Sequence, residues 1–186
     1  MKLGDASKIL IGVLLNREEN KNGGFKYRLF NLKKYEDNLE YGEFYTDKNL
    51  DEKLTQVGDI LFRLVAPNKI INIENASKDL LVPSQLCIIR PDTKILNPIF
   101  LKWYLESNAG KEKIAMELSG SSIQKMSINS LRNIDIPIID IEKQNQIEDL
   151  IELWGKEKKI LQLSIENKEN LYNDIIEEII EKEVKD

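Results

Sequence analysis

The residues that could make or break bonds in this sequence are few, and each lacks a partner that its chemistry would need. There is no histidine among the 186 residues. That removes the usual general base, the usual zinc ligand and every serine–histidine or cysteine–histidine mechanism. Ser121 or Ser122 as a nucleophile would need an activating lysine, for which Lys125 is the neighbour in sequence. Pro91-Asp92 could open a metal-dependent nuclease signature, which then requires a strand-borne glutamate-x-lysine. The matches, Glu166-Asn167-Lys168 and Glu183-Val184-Lys185, fall in a long helical stretch and could not share a metal with Asp92. Asn97-Pro98-Ile99-Phe100 lacks the second proline of a base-methylating loop, and its local signals are those of a capped helix start. Gly23-Gly24 is too short to cradle phosphate. The reading is a protein without catalytic residues, metal or cofactor.

The elements that must position the remaining polar residues can be read from pattern. A composition of 41% hydrophobic residues suits one buried core. Short apolar runs at 27–30, 60–64, 70–73 and 86–90 have strand length and content. The alternation at 134–138 predicts an edge strand, because Pro137 cannot donate to a ladder. Asn97 before Pro98 predicts an N-capped helix, and a second helix is expected over 110–118. Cys87 sits among Leu86, Ile88 and Ile89, as a small buried thiol would. No apolar run approaches the roughly 20 residues needed to cross a bilayer, and residues 1–5 lack a secretory signal. The expectation is a cytoplasmic protein.

From Asp140 onward the texture changes to a single helix. Two seven-residue series four residues apart carry the stripe: Ile147, Trp154, Leu161, Lys168 and Ile175, and Ile151, Lys158, Ile165, Tyr172 and Ile179. A stripe of that length requires a partner helix, since otherwise too many isoleucines would face water. The expected fold is α+β, a mixed α/β domain over 1–139 followed by a long C-terminal helix, a coiled-coil rod, over 140–186. The formal charge of −5 is unevenly spread. Residues 147–186 hold 12 acidic and 6 basic side chains, which leaves the preceding domain near neutral.

Three stretches resemble the specificity subunits of type I restriction–modification systems. The first is Lys2-Leu3-Gly4-Asp5-Ala6-Ser7-Lys8-Ile9 with Ile11-Gly12. The second runs from Gly58-Asp59-Ile60-Leu61 through Val82-Pro83-Ser84-Gln85-Leu86 and Ile89-Arg90-Pro91 to Asn97-Pro98-Ile99-Phe100-Leu101. The third is Ser119-Gly120-Ser121-Ser122-Ile123-Gln124-Lys125-Met126-Ser127, then Leu131 to Pro137 and Gln144-Asn145-Gln146-Ile147. Typical members carry two target recognition domains and two helices packed antiparallel, whereas this chain has one of each and no internal repeat. The resemblance implies a half-length, non-catalytic DNA-recognition subunit that forms a homodimer through its helix. It also implies a modification methyltransferase as partner, admits a restriction subunit, and implies a gapped, palindromic DNA site. No membrane partner is expected.

Base readout needs donors and acceptors at base edges, and affinity needs cations and amides at phosphates. By that chemistry the DNA-binding candidates are Ser119, Gly120, Ser121, Ser122, Gln124 and Lys125, then Asn16, Arg17, Lys21, Asn22 and Lys26, then Asn68, Lys69, Ser84 and Gln85. Arg63 and Arg90 end strands and could equally be structural ion pairs. The partner-binding candidates are Ile147, Ile151, Trp154, Leu161, Ile165, Tyr172, Ile175 and Ile179. Two alternatives stay open: a coiled-coil adaptor whose globular head binds protein, and a regulatory fragment that competes with a full-length specificity subunit.

Overall fold

The computed structural model describes residues 1–31, 41–118 and 125–185. In chain order they form α1 (Leu3–Ala6), β1 (Ser7–Ile11), α2 (Leu15–Glu18), β2 (Phe25–Leu29), β3 (Gly42–Thr46), β4 (Ile60–Arg63), β5 (Ile70–Asn72) and β6 (Leu80–Leu81). There follow β7 (Leu86–Pro91), α3 (Pro98–Glu106), α4 (Asn108–Leu118), α5 (Ile128–Asn133) and α6 (Ile141–Lys185), an α+β fold. Contacts divide the chain into two units, Met1–Gln144 and Asn145–Asp186. Among the described residues, no helix is long and apolar enough to cross a membrane.

In the first unit the described strands make two sheets. One has the order β1-β7-β4-β5 with every pair antiparallel; the other has the order β3-β2-β6, with β2 antiparallel to β3 and parallel to β6. Register sets Leu10, Ile88, Leu61 and Ile71 in one row across the first sheet. Alternation puts Leu86 on the same face, where these residues pack with Phe30, Leu80 and Val82. The opposite row, Ile9, Ile89 and Ile60, is buried too, and α3 lies against β5 while α5 lies against β1. A strand covered on both faces shows a continuous apolar run, which is why 60–64 and 86–90 stand out in the sequence. Each fully buried leucine or isoleucine contributes about 1.5–3 kcal/mol. A smaller core of Val13, Tyr27, Phe44, Leu50 and Leu81 belongs to the second sheet.

The cap expected at Asn97 forms, its side chain accepting the Ile99 and Phe100 amides at 2.8 and 3.0 Å. The strand expected at 134–138 does not: the segment is a lone bridge between Lys2 and Asp135. Past Lys2 the partner segment turns into α1 at Leu3, so the ladder does not continue on that side. The Leu3 amide donates to Ile134 O at 2.9 Å and the Ile136 amide to Met1 O at 2.9 Å, which fixes the segment without making it a strand.

The second unit is the continuation of α6, whose 45 residues span about 68 Å at 1.5 Å per residue. Trp154, Leu161, Ile165, Tyr172, Ile175 and Ile179 are exposed, while Ile147 and Ile151 are half-buried. Pairs four residues apart, Glu152 with Lys156 at 3.7 Å and Glu178 with Lys182 at 2.8 Å, support the helix from its polar side.

Candidate nucleic-acid interface

Antiparallel pairing brings four segments to one end of the first sheet. There β1 leaves after Ile11, β7 enters at Leu86, β4 leaves after Arg63 and β5 enters at Ile70. The candidates at 16–17, 68–69, 84–85 and 125 lie on the segments that meet at this end.

Gly12 lets the first two segments pass closely. A Cβ there would stand 2.3 Å from Pro83 O, so only glycine permits the approach. The Val13 amide donates to Val82 O at 2.7 Å and the Ser84 amide to Val13 O at 2.9 Å. Asn16, Arg17, Ser84 and Gln85 consequently line one cavity of about 300 Å³ with Val13 and Pro83. Beside it, Leu64 ties the next two segments together. Its amide donates to Gln85 O at 2.9 Å, and its carbonyl accepts the Met126 amide at 2.7 Å. Lys125 pairs with Val65 as an isolated bridge. Asn68 donates its side-chain amide to Arg63 O at 2.8 Å, closing the β4–β5 loop. Asn68 and Lys69 also line a cleft of about 520 Å³ that includes Leu105, Glu106, Ile114 and Leu118.

The charge at this end is basic. Glu18 is held by Lys48, and Glu106 by Lys102 at 3.2 Å. Arg17, Arg63 and Lys125 have no carboxylate partner among the described residues. Unpaired cations beside a serine hydroxyl and a glutamine amide can contact both phosphates and base edges.

Other candidates lie elsewhere. Lys21 and Asn22 occupy the turn before β2, with the Asn22 amide on Asn20 Oδ1 at 3.0 Å. Lys26, on β2, is paired with Glu43 at 2.6 Å and lies 5.6 Å from the Tyr45 ring centre. The hydrogen bond to Glu43 raises the Lys26 pKa and lowers that of Glu43. Ser119, Gly120, Ser121, Ser122 and Gln124 lie outside the described residues.

Sequence reasoning gave Gln144 no positioning role and did not tell Arg63 from Arg90. Gln144 is fully buried: its Oε1 accepts the Asn97 amide at 2.8 Å, and its Nε2 donates to Ile95 O and Ile139 O at 2.9 and 2.8 Å. Nothing in its local pattern signals burial. Arg63 and Arg90, alike in sequence, part company in the structure. Arg90 is a structural partner of Asp59, whereas the Arg63 Nε is buried with no hydrogen-bond partner among the described residues.

No family model matches the sequence, and no curated protein matches it. Solved structures do share the fold. A chain from work on the structural basis of complex assembly and conformational transition of the type I R-M system superposes with a TM-score of 0.68 at 15% identity, covering 91% of this chain and 45% of that one. The HsdS subunit from Thermoanaerobacter tengcongensis gives 0.64 at 16% identity, covering 87% and 43%. The S subunit of a type I restriction–modification system from M. genitalium gives 0.53 at 19%, covering 84% and 38%. At these identities the likeness is one of fold, and this chain spans less than half the length of each.

Proposed function

We propose that this chain is a half-length DNA-specificity subunit of a type I restriction–modification system. It does no chemistry itself and directs a partner adenine methyltransferase to its target. The observation that carries this reading is the shared fold, which takes in nine-tenths of this chain and less than half of each specificity subunit it matches. The basic sheet end supports it, because dispersed residues of the right chemistry converge there. A second copy, paired through the exposed stripe of α6, supplies the other half of the reader. Two identical halves then read a gapped palindrome.

The test is to express the full chain with its cognate modification subunit and map methylated adenines across a genome. The expected result is one new gapped, palindromic motif. No new methylation overturns the active half-subunit. Loss of methylation at the site of a co-resident full-length specificity subunit would instead make the chain a competitor.

A further inference from the structure

We infer that the cavity between residues 13–17 and 83–85 reads an A·T pair in the major groove, its carboxamides taking the adenine edge and Leu14 the thymine methyl; this rests on the DNA-binding reading above. The cavity holds about 300 Å³, and Leu14, Asn16, Arg17, Ser84 and Gln85 are among its lining residues. Asn16 and Gln85 are exposed, and among the described residues neither side chain makes a hydrogen bond. Asn68, at the same end of the sheet, shows the structural use of such a group, its amide donating to Arg63 O at 2.8 Å.

Backbone bonds fix the points from which the free carboxamides reach out. The Ser84 amide donates to Val13 O, the Leu86 amide to Pro83 O and the Leu64 amide to Gln85 O, each at 2.9 Å. Asn16 lies in α2, which closes through the Arg17 and Glu18 amides on Leu14 O at 3.0 and 3.2 Å. Base readout needs such placement, because a paired contact is lost when its support wanders. A carboxamide carries an acceptor and a donor side by side. Adenine shows the complement in the major groove, its N6 amino donor beside N7, whereas guanine shows two acceptors. A carboxamide therefore pairs twice with adenine and once with guanine. The apolar part of the cavity selects the same base pair. Leu14 is 51% exposed among polar neighbours, and the C5-methyl group of thymine is the apolar surface that the major groove offers it. Arg17, the cation among these lining residues, is exposed and suits the phosphate beside that pair.

The test uses the full chain with its modification subunit. Methylation mapping first gives the wild-type motif; 7-deazaadenine, which lacks N7, then replaces each adenine of a half-site in turn in a binding duplex. At one position the wild type should bind about tenfold more weakly, and the Asn16→Ala/Gln85→Ala variant should show no such difference there. Uracil in place of the thymine opposite should weaken wild-type binding about fourfold, as for one buried methyl group, and leave Leu14→Ala unaffected. A wild type insensitive to 7-deazaadenine everywhere, or a double variant as sensitive as the wild type, overturns the inference. So does discrimination lost at a G·C pair, or a uniform loss across all sequences, the mark of a phosphate contact. Uracil as well tolerated as thymine overturns the assignment of Leu14. If the unaltered complex deposits no methylation, the parent reading fails and this one with it; a clear wild-type motif with an unresponsive double variant sinks the cavity alone.

Discussion

Arg90 grips Asp59 through two hydrogen bonds, Nε to Oδ1 and Nη2 to Oδ2, each 2.7 Å long. The Asp59 side chain is 1% exposed and also accepts the Gln56 amide at 2.7 Å, while Arg90 sends Nη2 to Leu54 O at 3.0 Å. The pair thus stitches β7 to the turn before β4, and the bond to Asp59 raises the Arg90 pKa. Removing one partner of a buried pair is worse than never having it, because the other charge is stranded. Asp59→Ala should cost about 3 kcal/mol, read as a lower urea midpoint at unchanged slope. A loss within ~0.5 kcal/mol would mean that the pair is ornamental.

Gln144 satisfies three backbone groups from one side chain, the Asn97 amide buried and the Ile95 and Ile139 carbonyls partly buried. Leucine has a similar volume but neither donates nor accepts, so Gln144→Leu would leave the Asn97 amide and two carbonyls without partners. A loss of about 2–4 kcal/mol is expected in chemical denaturation, at about 1–3 kcal/mol per unsatisfied group with partial relaxation. Wild-type stability in this variant would show that water replaces the amide.

Cys87 is fully buried, and burial pushes its thiol pKa up to about 12. Only the thiolate attacks disulfide reagents. The native chain should therefore give no colour with Ellman's reagent at pH 8, and one equivalent after unfolding in guanidinium. Rapid native labelling would place the thiol at the surface.

How far the sequence could be read depended on what each residue's neighbours in the chain reveal. Short apolar runs marked β2, β4, β5 and β7, most strongly β4 and β7, where burial on both faces leaves a continuous local imprint. Asn97-Pro98 marked α3 because capping is a local transaction between adjacent residues. The alternation at 134–138 misled because strand character depends on a partner ladder, and the one available ended at residue 2. The candidate site was legible as a set of polar loops, yet its assembly was not. That Gln85, Leu64 and Met126 share backbone bonds is a matter of strand order, which no local pattern carries. The different fates of Arg63 and Arg90 turn on a single distant carboxylate, equally invisible from sequence.

The stripe on α6 leaves Ile165 and Leu161 more than half exposed, and burying such side chains between helices is worth about 1.5–3 kcal/mol each. Sedimentation should find about twice the 21.6 kDa chain mass for the wild type. Ile165→Asp should sediment as the single chain with the circular dichroism of a folded head. A dimer that survives this change would place the contact elsewhere.

The central claim is that the basic end of the β1-β7-β4-β5 sheet holds DNA. It is tested most directly by the salt dependence of DNA affinity for the full chain with its modification subunit, wild type against the Arg17→Ala/Lys125→Ala double variant. Each phosphate contact contributes about 0.9 to the slope of log K against log salt. The account predicts a steep fall in affinity with salt for the wild type and a slope shallower by nearly two in the double variant. Identical slopes, or binding indifferent to salt, would contradict it.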